Sequence, residues 1–463
     1  MPKSKVRRSA VSTTIAAVLL IVGLVVGAGV GYAATSASTP GVRTTTTTVT
    51  ASGGTGVGTT VTTTVTSGGG GTSGLSGTIN IGVLDDLTDG LSGEGLKINF
   101  TAHQAANDIN SYLSTTSYAG KVKFNVVVLD YALDNTKAQN AMSTFKSDGI
   151  SVVVGPLNSG TAQALLSYAD SNQIVMISPS STSAALAIPN DYLFRTAPTD
   201  VVQGKADASM MWGNGVKAII QVYRQDTYGS GLANYTSADF KALGGTVVAQ
   251  IPYDTSTSNF VPILGTLNTD WNNAVKTYGN NSVAIQLISF DEGATLIQQA
   301  STNYPALINT PQPWYGVDGE EGESAFTNST VAAAVSAVRL PSTVFGYTNS
   351  SKTATLCQQL FAATSQTCDS YPLGAYDDVW LAALSILACG QNTGSCIQSV
   401  LPTVANNYYG VTGWTALNPN GDRAVSDYLI YCITGPTSSL SWQVCGSWSY
   451  QSNSVTWTNK PPT

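Results

Sequence analysis

From Thr78 onward the chain alternates short apolar runs with longer amphipathic stretches. "INIGVL" (79–84) leads into "EGLKINFTAHQAANDINSYL", where Leu96, Phe100, Ala105 and Ile109 fall at helical spacing. The strand "VKFNVVVLDY", the helix "NTKAQNAMSTFKSDG", the strand "ISVVVGPL", the helix "SGTAQALLSYADSN" and the strand "IVMIS" follow in order. After "FRTAPTD" (194–200) a second round begins, with strands "VKAIIQVYR", "GTVVAQIPYD", "SVAIQLISF" and "PWYGVD". Its helices are "DVVQGKADASMMWG", "YGSGLANYTSADFKALG", "SNFVPILGTLNTDWNNAVKTYG" and "DEGATLIQQASTNY". Strands without polar alternation, spaced by amphipathic helices, predict parallel sheets covered on both faces. The pattern thus predicts an α/β protein of two Rossmann-like lobes, with a first lobe over 78–198 and a second over 199–338. The remainder has helices near Thr353–Thr364 and Gly374–Ala388, then strands around the "NPNGD" turn. It is too short for an independent lobe, so 339–413 is expected to complete the first and 414–463 the second. Open α/β sheets bind ligands beyond the carboxyl ends of their strands, and two facing lobes form a cleft that closes about a hinge.

The start of the chain has a different pattern. Lys3, Lys5, Arg7 and Arg8 precede the apolar run Ile15–Val30. An uncharged stretch of roughly 20 residues suffices to span a bilayer, with the basic flank inside. Residues 1–35 therefore read as a membrane anchor or signal, which would place the body outside the cell at the cell membrane. The basic pair before "SAVSTTIAAVLLIVG" also resembles class III, pilin-like signals, in which the leader is trimmed and the apolar helix kept. Residues 36–77, rich in Thr, Gly and Ser, have almost no charge and no helical period, and predict a disordered stalk.

Composition narrows the function. Of 463 residues 43% are hydrophobic and only 10% charged, for a net charge of −7. Phosphate binding needs clustered Lys and Arg, so nucleic acid is excluded as a partner. The six cysteines all lie in the last third, and their order suggests the pairs Cys357–Cys368, Cys389–Cys396 and Cys432–Cys445 among 15 possible pairings. No C-x₂-C spacing occurs and His103 is the only histidine, so no metal site is expected and no Ser–His–Asp constellation can be assembled. The reading is of a non-enzyme without cofactors. "LDDLTDG" (84–90) lacks the twelve-residue loop of a calcium site. Asn-x-Ser/Thr sequons at Asn99, Asn234, Asn280, Asn328 and Asn349 offer glycosylation sites if the host glycosylates.

Several strand ends carry polar groups suited to a small ligand. "GPLNSGT" (155–161) opens like a phosphate loop, but Thr161-Ala162 stands where that motif needs Lys and Ser/Thr. What remains is Ser159 at the mouth of a helix, either a plain cap or a carboxylate donor backed by free N–H groups. "SPSSTSAA" is a second strand-to-helix turn in the same lobe, equally readable as a solvated loop or as a set of donors. "WYGVDGEEGE" (314–323) ends a second-lobe strand with Asp318, Glu320, Glu321 and Glu323, which either face water or supply counter-charge.

Over 78–432 the chain resembles the type I periplasmic binding proteins of the leucine/isoleucine/valine-binding family. The resemblance rests on "VVVGPLNSGTAQALLSYAD", "IVMISPSSTSAAL", "YLFRTAPTDVVQGKA", "VYRQDTYGSGLA", "YDDVWLAA" and "GVTGWTALNPNGD", collinear and at the family's spacing. It implies the type I periplasmic binding fold and a membrane-tethered solute-binding protein that serves the permease of an ABC importer. In this likeness Leu157 and Ser159 lie at the ligand carboxylate. Thr182 adds a hydroxyl and N–H to the carboxylate, and Ser180 a carbonyl to the ammonium. Asp318 provides the acidic partner, with Glu320 as a substitute, and Tyr228 stacks on the ligand. Glu94 and Tyr371 are candidates for the side-chain pocket, and Asp200 for the pocket or the hinge. The expected ligand is an amino acid or a related amide. A sensor subunit of the same fold and a surface adhesin are the competing functions.

Overall fold

The computed structural model of the chain describes residues 31–39, 42–50, 60–68 and 74–461. The basic leader and the apolar run Ile15–Val30 lie outside the described residues. From the end of the stretch read as anchor through the stretch read as a disordered stalk, three strands, β1 (Gly31–Thr39), β2 (Val42–Thr50) and β3 (Thr60–Gly68), pair in antiparallel order. The expectation of disorder considered only whether a core could be buried. The β-branched Thr and Val in these strands favour an extended backbone.

The first layer follows the predicted alternation. Strands β4 (Gly77–Asp85), β5 (Val122–Asp130), β6 (Val152–Val154), β7 (Val175–Ser178) and β8 (Leu193–Arg195) form a parallel sheet in the order β5-β4-β6-β7-β8. Its helices are α1 (Ser92–Leu113), α2 (Asn135–Ser147) and α3 (Ser159–Asn172). Asp134 caps α2 by accepting from the N–H groups of Thr136 and Lys137, which fixes where the chain leaves β5. Strand β4 lies between neighbours and is buried on both faces toward its carboxyl end, where the adjacent Val83 and Leu84 are fully buried.

One expectation about α1 needs correction. Leu96, counted in the apolar helical spacing, is 48% exposed, whereas Lys97 is fully buried. The inner face runs through Glu94, Lys97, Ile98, Thr101, Ala102, Ala105 and Ile109. The helical period is right, but the stripe is displaced because Lys97 has buried carboxylates to meet.

The second sheet repeats the plan. Helix α4 (Asp200–Gly213) leads into β9 (Ala218–Arg224), α5 (Thr227–Ala242), β10 (Thr246–Tyr253), α6 (Val261–Tyr278), β11 (Val283–Ile288), α7 (Glu292–Asn303), the short α8 (Pro305–Ile308) and β12 (Trp314–Tyr315). The parallel order is β10-β9-β11-β12. After α9 (Ala332–Val338), β13 (Ser342–Phe345) attaches to this sheet through a bridge between Gly316 and Ser342. The return to the first layer therefore starts after β13, not at 339.

That return consists of α10 (Ser351–Thr364), α11 (Ser370–Cys389) and α12 (Gly394–Ala405). Helix α11 packs along α1 and is buried on all sides. It is long and apolar enough to cross a membrane by composition, yet here it is a core helix. The hairpin β14 (Tyr409–Gly410) and β15 (Gly413–Trp414) comes next, and Asp422 bridges the edge of the first sheet at Arg195. The last strands, β16 (Tyr428–Thr434), β17 (Ser441–Ser449) and β18 (Ser454–Trp457), extend the second sheet antiparallel beyond β13. The step back to that sheet thus falls between Asp422 and Tyr428, later than 414.

All six cysteines are paired as their order suggested. Cys357–Cys368, Cys389–Cys396 and Cys432–Cys445 have Cα separations of 5.3, 6.0 and 5.7 Å.

Candidate ligand site between the two sheets

The carboxyl ends of both sheets face one cavity. Its free space, about 430 Å³ counting what is open to solvent, is lined by residues that follow β4 (Leu91, Glu94), β6 (Leu157, Asn158, Ser159), β7 (Ser180), β9 (Tyr228), β11 (Phe290) and β12 (Asp318, Gly319, Glu321, Glu323), together with Tyr371 of α11. The halves touch around it: the Ser183 hydroxyl donates to the Thr227 carbonyl at 2.9 Å, and the Glu94 N–H to the Glu323 carboxylate at 3.3 Å.

On the first-sheet side, Ser159 is the first residue of α3. The Asn158 side chain does not cap this helix; it accepts from the Tyr131 hydroxyl instead, at 2.8 Å. Ser159 Oγ accepts from the N–H groups of Thr182 (3.2 Å) and Ser183 (3.1 Å), which leaves its own proton to donate. A proton donor and an uncapped helix N-terminus at a buried cavity together favour an anion. The Ser180 hydroxyl donates to the Leu157 carbonyl at 2.9 Å and joins the β6 and β7 turns.

Thr182 and Glu320 do not line the cavity. Thr182 lies beside Ser159, but its N–H is engaged by Ser159 Oγ and its hydroxyl sits near Asp200. Glu320 turns away and accepts from the N–H and hydroxyl of Ser289 (2.7 and 2.8 Å) and from the Val317 N–H (2.6 Å). In a fully buried position a carboxylate goes to the available donors, here Ser289 at the end of β11 and Val317 of its own loop. Asp200 also lies outside the wall, at the start of α4. It is fully buried without a well-formed hydrogen bond to its carboxylate.

On the opposite side, Asp318 accepts from Gln203 (2.7 Å), Tyr228 and Tyr371. Burial raises its pKa, and the three donors hold the rise in check. Tyr228 also stacks on Phe290, with centroids 5.6 Å apart and planes 21° apart. Tyr371 meets Phe345 edge-on.

The sequence reasoning left Phe290, Leu91, Glu321 and Glu323 without a place in the site. Phe290 closes "SVAIQLISF", and the strand-end rule applied there would have found it. The two glutamates were visible in the acidic run, but nothing in the run shows which members turn inward. Glu94 is buried and pairs with Lys97 at 2.6 Å. Lys97 also pairs with Asp369, which caps α11 through the Tyr371 N–H. Burial works against the charge on Lys97, but Asp369 and Glu94 outweigh it and raise its pKa.

Two parallel-stranded sheets, linked by crossings and closed on a cavity at their carboxyl ends, define a type I periplasmic binding fold. Within that class the chain belongs to the family described as the receptor family ligand binding region, which matches residues 101–435. An uncharacterized protein of Methanocaldococcus jannaschii is 29% identical over 397 residues, covering 82% of this chain and 91% of that protein. The Leu/Ile/Val-binding protein BraC3 of Rhizobium johnstonii is 29% identical over 177 residues, 37% of this chain and 46% of that one. Among solved structures, the leucine-binding protein LivK of Thermotoga maritima superposes with a TM-score of 0.66 at 18% identity, covering 81% of this chain and 99% of its own. The branched-chain amino acid transporter substrate-binding protein LivJ of Streptococcus pneumoniae, in complex with isoleucine, gives 0.62 at 21% identity, with coverages of 80% and 99%.

Proposed function

We propose that the protein is a membrane-tethered, extracellular solute-binding protein that delivers an amino acid or related zwitterion to an ABC importer. One observation carries the ligand class: a hydroxyl donor and an uncapped helix N-terminus stand on one wall of the cavity, and a buried carboxylate on the other. The first suits a carboxylate and the second an ammonium. In this reading Ser159 and the start of α3 hold the α-carboxylate. Asp318, positioned by Tyr228, Tyr371 and Gln203, takes the α-ammonium on closure. The N-terminal apolar run would hold the body at the membrane, and the likeness to transporter binding proteins supports a permease as the partner.

The test is a calorimetric and thermal-unfolding panel of amino acids, amides and short-chain acids on the full-length chain. An amino acid that binds the closed form should raise the unfolding temperature by mass action. Saturable binding of amino acids, lost on removal of either the α-carboxylate or the α-amino group, is the expected result. Absence of binding by every amino acid would overturn the reading in favour of a surface adhesin.

A further inference from the structure

The carboxylates around the cavity outnumber what one α-ammonium can satisfy. Glu94, Glu321 and Glu323 line it in addition to Asp318, and each is at least 94% buried. Asp318 already has three donors, and Lys97 is committed to Glu94 and Asp369. Glu323 accepts from the Glu94 N–H. Glu321 has neither a hydrogen-bond donor on its carboxylate oxygens nor an ion pair within contact distance, although the residue is only 3% exposed; the Lys97 charge nearby offsets only part of its burial. The charged form of a buried carboxylate without a donor is unfavourable unless a cation joins it.

The surroundings are shaped to bring these acids together. A Cβ on Gly93 would lie 2.6 Å from Glu323 Oε2, and one on Gly322 would lie 2.6 Å from Lys97 Nζ. Gly322 also has φ of +80°, which a side chain rarely adopts. Glycine at these two positions lets the first-sheet and second-sheet acids converge on one space. Leu91 and Phe290 provide apolar wall in the same cavity, suited to methylene groups.

We propose that the ligand is an α-amino acid with a cationic side chain, an ammonium or guanidinium on a short methylene chain, whose charged end binds among Glu321, Glu323 and Glu94. The inference rests on the amino-acid reading above and specifies its substrate class. Burial pushes Glu323 up to about 8 and raises Glu94 and Glu321 as well, and a bound cation would oppose all three shifts.

The deciding comparison is L-lysine and L-arginine against norleucine and L-leucine, titrated calorimetrically into the full-length chain. Norleucine keeps the methylene chain and the α-groups of lysine but lacks the distal ammonium. At least tenfold tighter binding of lysine or arginine is expected. Equal or tighter binding of norleucine or leucine would overturn the cationic class while leaving the amino-acid reading intact. No binding of any of the four, including both cationic probes, would also overturn it. Failure of the amino-acid reading itself would show as silence across the whole wider panel. Glu321→Gln and, separately, Glu323→Gln should weaken lysine at least tenfold with norleucine unchanged, and ligand-free thermal unfolding checks that each variant is folded. Equal losses for lysine and norleucine, or none for either, would count against the proposal.

Discussion

Asp200 allows a stability prediction that is independent of the ligand. Its carboxylate is fully buried at the start of α4 and accepts no well-formed hydrogen bond. Burial, assisted by the nearby charge of Asp318, pushes it from 3.8 up to about 8, and the Thr182 hydroxyl and Arg195 offset only part of this. The folded protein therefore keeps a proton on Asp200 at pH values where the unfolded chain has released it. Stability should fall as the pH rises from about 4 to about 8, because the unfolded state binds fewer protons there. Each pKa unit corresponds to about 1.4 kcal/mol, so by pH 7 the cost of this one group is about 4 kcal/mol. Asp200→Asn replaces the acid by a neutral isostere whose amide can donate to the unpartnered Thr182 hydroxyl. The variant should match the wild type near pH 4 and exceed it by about 4 kcal/mol at pH 7. Denaturant unfolding at pH 4, 5.5 and 7, followed by tryptophan fluorescence, measures the difference. Asp191, Asp291 and Glu323, pushed up to about 7, 6 and 8, slope the same way in both proteins and cancel. A constant difference across the pH range would refute the argument, since it would mean that Asp200 is ionised in the folded state like an ordinary aspartate.

Two other perturbations separate scaffold from site. Ser159→Ala removes the acceptor for two buried N–H groups, each left unsatisfied at about 1–3 kcal/mol, and the expected result is both a lower unfolding midpoint and a weaker response to amino acids. Unchanged calorimetric affinity would remove Ser159 from the carboxylate site. Lys97→Met leaves Glu94 and Asp369 without their cation, and chemical unfolding at neutral pH should show a loss of about 3–5 kcal/mol. That loss should shrink under acid conditions, where the stranded carboxylates take up protons; a loss independent of pH would point to packing instead.

Much of this protein follows from local pattern. The stretch "SGTAQALLSYADSN" is α3 residue for residue, and the apolar runs of both rounds became parallel strands, because periodicity and strand-end polarity are properties of neighbouring residues. The same reasoning located Ser159, Ser180, Tyr228 and Asp318 near strand ends, and the fold brings all four to one cavity. What local pattern could not decide is which polar groups turn inward once distant segments meet. Leu96 is exposed and Lys97 buried because Asp369, 272 residues away, caps the helix that packs along α1. Glu320 and Glu321 are adjacent in one acidic run, yet Glu320 is held by Ser289 at the end of β11 while Glu321 faces the cavity without a partner. Thr182 lies beside Ser159, but its N–H is engaged by the serine oxygen. The alternation of elements and the chemical kinds of group at their ends are local properties of the chain. How those groups pair is set when distant segments meet, because a buried charge or donor is governed by the partner that packing delivers to it.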